Sequence, residues 1–114
     1  MSKEQETLYD VEEFWKFKIK VGLVREAERI PRTRKLIKLV VDFGDETRTV
    51  VAGIGDQYSP EDLKGKKTIF VTNLKPKTIA GVESQAMLIV AESRDGRVYL
   101  ITVSDEVPVG SKVW

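Results

Sequence analysis

Neither cysteine nor histidine occurs anywhere in this chain of 114 residues. Disulfides, zinc sites built from Cys or His, thiol nucleophiles and every triad that uses imidazole as its base are therefore excluded. Carboxylate or lysine chemistry is left, but the acidic residues are scattered over turns and ends and form no cluster that resembles a site. A non-catalytic protein is expected, with no cofactor and no metal. Aromatic residues are also scarce, nine in all (two Trp, three Tyr, four Phe), which leaves few rings for the stacking platform of a general single-strand binder. No run approaches the ~20 apolar residues of a membrane span. The polar, mixed-charge first ten residues have neither an apolar h-region nor an Arg-rich amphipathic pattern. The expected compartment is the cytoplasm, away from membranes.

Hydrophobic residues make up 41% of the chain and charged residues 32%, the balance of a soluble globular domain rather than a disordered one. At this length one core is expected, burying roughly two thirds of the unfolded surface. The formal net charge is only +1, but the charge is segregated. Between Phe14 and Val41 stand nine cations (Lys16, Lys18, Lys20, Arg25, Arg29, Arg32, Arg34, Lys35, Lys38) against two acids (Glu26, Glu28). Between Lys64 and Ile79 stand five lysines (Lys64, Lys66, Lys67, Lys75, Lys77) and no acid. Such tracts bear on partners rather than on fold.

Asp10 and Glu13 have capping-box spacing, and Val11, Phe14 and Trp15 then share a helical face, so a short N-terminal helix is predicted. From Phe17 the apolar residues alternate with lysines, the period of a strand wet on one face, predicted over residues 16–28. Ile30-Pro31-Arg32-Thr33-Arg34 interrupts it, because proline lacks the N–H a ladder needs. Strands follow over residues 36–43 and 47–52, joined by a turn at Gly44-Asp45-Glu46. Ser59-Pro60-Glu61-Asp62 starts a helix of one or two turns that Gly65 stops. Strand four is predicted over residues 67–72, a long loop to about Gln85, strand five over residues 86–92, a turn at Asp95-Gly96, and a further strand over residues 98–103. Three strands, a short helix and two more strands is the order of a five-stranded OB-fold barrel, all-β with short helices, whose nucleic-acid loops join strands one to two and four to five. Both of those loops are basic here: Arg32, Arg34 and Lys35 in the first, Lys75 and Lys77 in the second.

Val21-Gly22, Pro31, Lys35-Leu36 and Val41-Asp42-Phe43-Gly44 resemble the tRNA-binding domain attached to methionyl-tRNA synthetases. So do Tyr58-Ser59-Pro60-Glu61-Asp62-Leu63-Lys64-Gly65-Lys66, Asn73-Leu74-Lys75-Pro76 and Gly81-Val82-Glu83-Ser84-Gln85-Ala86-Met87-Leu88, in order and spacing. The resemblance runs from about Val11 to Trp114 and is strongest to the stand-alone β-type chain of archaea, which lacks the catalytic domain. It implies a homodimeric OB barrel that binds tRNA by shape more than by sequence, an accessory subunit of methionyl-tRNA synthetase, with RNA contacts from Asn73, Lys75, Ser84 and Met87. It also divides the chain into a flexible tail, residues 1–10, and a tRNA-binding domain, residues 11–114, that ends in a dimerisation extension. Two departures stand out. Ile30-Pro31 replaces a frequent His-Pro, and Ala86 replaces a frequent Gly, which permits backbone conformations that Ala resists. A branch of secretion-related chaperones shares Val-Asp-Phe-Gly and Ile-Ala-Gly-x-x-Ser, so a chaperone or protein-interaction module on the same barrel is the alternative; Asn73-Leu74-Lys75-Pro76 favours the tRNA branch.

Each candidate also has a plainer reading. Arg32, Arg34, Lys35, Lys75 and Lys77 could simply solvate loops, Asn73 could end a strand, Ser84 could be an ordinary loop hydroxyl and Met87 could belong to the core. Phe14, Trp15 and Phe17 have the spacing of core or interface residues. Trp114, at the chain's last position, is expected to pack against its own subunit or a twin.

Overall fold

The computed structural model describes residues 6–114; the first five residues of the expected tail lie outside the described residues. The chain enters through a single turn, α1 (Val11–Phe14), which follows an extended Asp10. The helix forms where the spacing predicts it, but the Asp10 capping box does not: the side chain caps nothing, and the turn is closed by the Glu13 N–H donating to the Asp10 carbonyl at 2.9 Å. A turn this exposed has its end amides hydrated, so a carboxylate cap gains little over water. None of its residues is buried, and Phe14, Trp15 and Phe17 are each about half exposed, surface residues of this subunit rather than core.

Strands β1 (Ile19–Arg29), β2 (Ile37–Asp42) and β3 (Thr47–Ala52) form an antiparallel meander, with Arg29 opposite Ile37 and Ile37 opposite Ala52. Alternation decides the register: Ile37, Leu39 and Val41 point into the core while Lys38, Val40 and Asp42 take the other face. A bulge between Val24 and Glu26 bends the long first strand. At the β2–β3 turn the Asp42 carboxylate accepts the Gly44 N–H at 2.7 Å and two N–H groups of Arg25. The Gly44 bond, then Arg25, holds that carboxyl below its ordinary 3.8.

Helix α2 (Pro60–Leu63) has the reciprocal cap its sequence encodes. Ser59 Oγ accepts from Asp62 N–H, and Asp62 Oδ2 accepts from Ser59 N–H. The helix seats Leu63 in the core, and Gly65, at φ +88°, turns the chain so that its N–H reaches the Val24 carbonyl at 2.8 Å. Strand β4 (Lys67–Val71) then pairs with the other side of β1, Val71 opposite Ile19.

The expected long loop contains a hairpin, β5 (Lys77–Ile79) and β6 (Val82–Ser84), turned by Ala80 and Gly81 at φ +51° and +82°. A two-residue turn with both φ values positive normally carries Asn or Gly first, and Ala there hides it from a sequence reading. The predicted fifth strand is two pieces, β7 (Met87–Leu88) on β4 and β8 (Val90–Glu92), which pairs with β9 (Val98–Leu100). Finally β10 (Lys112–Val113) lies along the start of β1, Val113 opposite Ile19.

The sheet order β3-β2-β1-β4-β7 nearly closes into a five-stranded OB-type barrel with extra C-terminal strands. Side chains stitch the open seam. Val51 N–H donates to Ser84 Oγ at 2.9 Å, Thr49 N–H to Gln85 Oε1 at 2.9 Å, and Gln85 N–H returns to the Thr49 carbonyl at 2.8 Å. Inside, Phe43 and Phe70 meet edge to face, centroids 5.4 Å apart. Gly22 makes room for them: a Cβ there would lie 2.5 Å from Val41 Cγ1 and 2.8 Å from Phe43 Cε1. Gly22→Ala should destabilise the fold by about 1–3 kcal/mol through overpacking, read as a lower urea midpoint with an unchanged slope.

Candidate nucleic-acid interface

The first basic loop is built around a buried Ile30, whose N–H donates to the Leu36 carbonyl at 3.0 Å, while Thr33 Oγ1 donates to the Ile30 carbonyl at 2.7 Å. Arg32 sits at φ +66°, a left-handed conformation that non-glycine residues adopt at a cost of about 1–2 kcal/mol. Arg32, Arg34 and Lys35 all point to solvent. Their loop is held from below by Arg29, whose Nη1 donates to the Arg34 carbonyl at 2.6 Å and to the Gly55 carbonyl at 3.0 Å. The Gly55 N–H in turn donates to the Lys35 carbonyl at 2.7 Å. A Cβ on Gly55 would fall 2.7–2.8 Å from Arg29 Nη1 and from the Arg34 and Lys35 carbonyls, so only glycine allows this approach. The roles of Arg29 and Gly55 escaped the sequence reading, which counted Arg29 only among the nine cations between Phe14 and Val41; its guanidinium braces two carbonyls.

The second loop leaves the barrel at Thr72 and returns at Gln85, and one guanidinium holds both points. Arg48 Nη1 donates to the Gln85 carbonyl at 3.0 Å and to the Thr72 carbonyl, while Nη2 meets Glu46 at 2.8 Å. That last bond keeps the Glu46 carboxyl below its ordinary 4.5. Asn73 lashes the loop start to the chain before β1: its Oδ1 accepts the Lys18 N–H at 2.7 Å and its Nδ2 donates to the Lys16 carbonyl at 2.8 Å. Ser84 is buried, accepting from Val51 and donating to the Ala86 carbonyl at 3.1 Å. Lys77, opposite Ser84 on β5, and Lys75 rim a groove of about 290 Å³ whose walls are Leu74, Ile79 and Met87. Met87 is 49% exposed, a surface residue rather than a core one. Arg48 also went unread, and Leu74 and Ile79 entered only as members of the Asn73-Leu74-Lys75-Pro76 and Ile-Ala-Gly-x-x-Ser patterns, not as walls of a groove.

Both loops flank the C-terminal end of β3. Strand β2 begins just after Lys35 with Ile37 opposite Ala52 and Lys38 opposite Val51, and Val51 both lines the lysine-rimmed groove and carries the bond to Ser84. Strand β3 thus meets both loops, its last residue beside the start of β2 and its Val51 in the groove with Lys75 and Lys77. Among the described residues the five ion pairs join Lys16–Glu13, Arg25–Asp42, Lys38–Glu28, Arg48–Glu46 and Lys64–Glu26. None engages Arg32, Arg34, Lys35, Lys75 or Lys77. Asp56 shares a shallow depression with Arg34 and Lys35 without forming an ion pair there. Trp114 is 78% exposed, with Lys112 Nζ 5.8 Å from its ring centroid, so of the two expected partners its own subunit leaves it largely uncovered.

Among the described residues no helix is long and apolar enough to cross a membrane, and no group of three or more Asp or Glu side chains could hold a metal ion. Because one side chain ties both ends of the second loop, Arg48→Met should ease its local opening by about 1.5–3 kcal/mol. Amide exchange should accelerate across residues 73–85 while β1 and β2 keep their protection.

The sequence profile of the family described as "Putative tRNA binding domain" matches residues 19–112. A methionine–tRNA ligase of Methanocaldococcus jannaschii is 49% identical over 104 residues, 91% of this chain but 16% of that protein. The chain thus spans about a sixth of the curated relatives it matches, and the matching family is a binding domain rather than a catalytic one. The crystal structure of a MetRS-related protein from Pyrococcus horikoshii superposes with a TM-score of 0.94 at 68% identity, covering 96% of this chain and 100% of that one. The chaperone CsaA from Bacillus anthracis superposes with a TM-score of 0.85 at 31% identity, covering 95% and 100%. The resemblance carried by the Asn73-Leu74-Lys75-Pro76 and Gly81-to-Leu88 segments is therefore borne out, and the chain belongs to the tRNA-binding domain family.

Proposed function

We propose that the chain is a general tRNA-binding protein without catalytic activity, acting as a homodimeric accessory subunit that raises the local tRNA concentration for a methionyl-tRNA synthetase chain in the cytoplasm. The observation that carries the reading is the pair of basic loops beside β3, each braced from within and, among the described residues, free of ion pairs. Arg32, Arg34, Lys35, Lys75 and Lys77 neutralise phosphates, releasing counterions, and Met87 lies against the RNA beside them. Asn73 and Ser84 take a supporting part, since the amide of one and the hydroxyl of the other already bond the barrel's own backbone. In a pre-braced loop the side chains lose little further freedom on binding, which favours recognition of a rigid folded RNA.

Dimerisation draws on the apolar side chains this subunit leaves in water. Leu8, Tyr9, Val11, Phe14, Trp15 and Phe17 are exposed just before β1, and β10 runs beside the start of β1 and ends at the exposed Trp114. Apolar side chains exposed in this number are expected to be covered, and a two-fold partner covers them with the same residues. Trp114→Asp combined with Phe14→Asp should halve the mass seen by analytical ultracentrifugation. An unchanged mass would place the interface elsewhere.

The likeness to a chaperone, together with the half-exposed apolar groove, supports a second reading in which the same loops hold unfolded polypeptide. A filter-binding titration separates the two. Folded tRNA should bind at low salt in preference to unfolded polypeptide and to unstructured RNA of equal length, with a log–log salt slope of about −0.7 to −0.9 per phosphate neutralised. Lys75→Ala should weaken all tRNAs alike and flatten that slope by about one phosphate's worth. No tRNA affinity at low salt would defeat the proposal.

A further inference from the structure

From the groove beside the second basic loop we infer a seat for one unstacked nucleobase of the bound RNA, walled by Leu74, Ile79 and Met87 with Lys75 and Lys77 on its rim. This rests on the tRNA-binding reading and specifies what part of the RNA enters the site. A clamp for phosphates alone has no use for apolar walls. Yet Leu74 is 38% exposed on a loop that Arg48, Asn73 and Ser84 hold in place, and Met87 is 49% exposed on β7, where it pairs with Val71 of β4, so the walls stand preformed in water. The volume of about 290 Å³ sits at the lower end of small-ligand pockets, room for a flat ring system and little else. A nucleotide is the ligand that puts a flat, weakly hydrated ring next to an anion, and the groove offers the complement, apolar walls under two ammonium groups with no ion partners among the described residues.

The lining also says what the seat leaves unread. Ser84 hydroxyl has its partners in Val51 and Ala86, and the neighbouring Asn73 amide is bonded to Lys16 and Lys18. Apart from the two lysines, no lining side chain has a free donor for a base edge, and the Ser84 oxygen is buried. Stacking against a thioether and branched aliphatics accepts any base, because every base has a π-face. The base must come from an unpaired position, since a paired base keeps its faces inside the duplex. Folded RNA with an exposed loop nucleotide is therefore bound over a blunt duplex, whatever the nucleotide's identity.

The chain has two methionines, Met1 and Met87, so [13C-methyl]methionine labelling gives a reporter in the groove. Unfractionated tRNA added to the labelled protein should move the Met87 methyl signal upfield under the ring current of the seated base. A blunt RNA duplex at saturating concentration should leave it in place. Met87→Ala should lower tRNA affinity about tenfold with an unchanged salt slope, because no charge is removed, and Met87→Leu should restore most of it. If tRNA binds and the methyl signal stays put, or moves equally with the duplex, the seat is empty and the inference falls while tRNA binding stands. If an unfolded polypeptide moves the signal and tRNA does not, the occupant is a protein side chain. If tRNA does not bind at all, the underlying reading fails with it.

Discussion

The seam between β3 and the chain at residues 84–86 is the constraint on which the rest depends. An open edge of β3 would leave the amides of Thr49 and Val51 without partners, and an unpaired backbone donor at a buried edge costs as much as a lost hydrogen bond. A regular strand there would have closed the barrel with backbone alone. Here Ser84 Oγ and Gln85 Oε1 take those two amides, and only the Gln85 N–H completes a backbone bond to β3. The closing segment is therefore pinned by side chains, which leaves the preceding hairpin to stand off the barrel wall with Lys77 on its outer strand. Closure of the fold and presentation of the second basic loop are one structural event.

The first basic loop is fixed by a different device with the same outcome. Glycine at 55 lets a backbone strand come within hydrogen-bonding reach of the Lys35 carbonyl, and Arg29 fills the remaining space between the Arg34 and Gly55 carbonyls. Gly22 uses the same absence of a side chain in the core, where its neighbours are Phe43, Phe70 and Val41 rather than carbonyls. In both loops a guanidinium, Arg29 or Arg48, ties backbone carbonyls together. Arginine suits this because its planar fork donates in fixed directions and stays charged at any accessible pH. The cations that brace the loops and the cations that face solvent are thus chemically alike and functionally distinct.

That distinction explains where the sequence could be read and where it could not. Strand β3 was legible to the residue because the turn residues before it and the alternation beside it agree. The pairs Asp10/Glu13 and Ser59/Asp62 show the limit of a motif. Both have cap spacing, but Ser59 heads a helix that buries Leu63 and is followed by proline, whereas the turn after Asp10 buries nothing. The cap forms where tertiary packing already holds the helix. The β5–β6 hairpin was hidden by Ala80 in a position that normally announces itself with Asn or Gly. Of the residues expected at the RNA, the five loop cations stand without ion pairs among the described residues. Asn73 and Ser84 emerged bonded inward, because spacing reports which residue is near a loop and not which way its polar atoms turn.

Segregated charge makes a net of +1 compatible with an RNA partner. The cations Arg25, Lys38 and Lys64 have acids of their own in Asp42, Glu28 and Glu26, while among the described residues the loop cations have none. At physiological ionic strength a charge is felt over about 8 Å, less than the narrowest dimension of this molecule, 28 Å. A phosphate at the loops therefore responds mainly to the cations within that reach, Arg32, Arg34 and Lys35 at the first loop and Lys75 and Lys77 at the second. Overall neutrality limits long-range attraction and non-specific adhesion, and the local excess supplies contact energy only to an anion that reaches both loops at once. A folded RNA meets that requirement with its closely spaced phosphates, and an isolated phosphate does not.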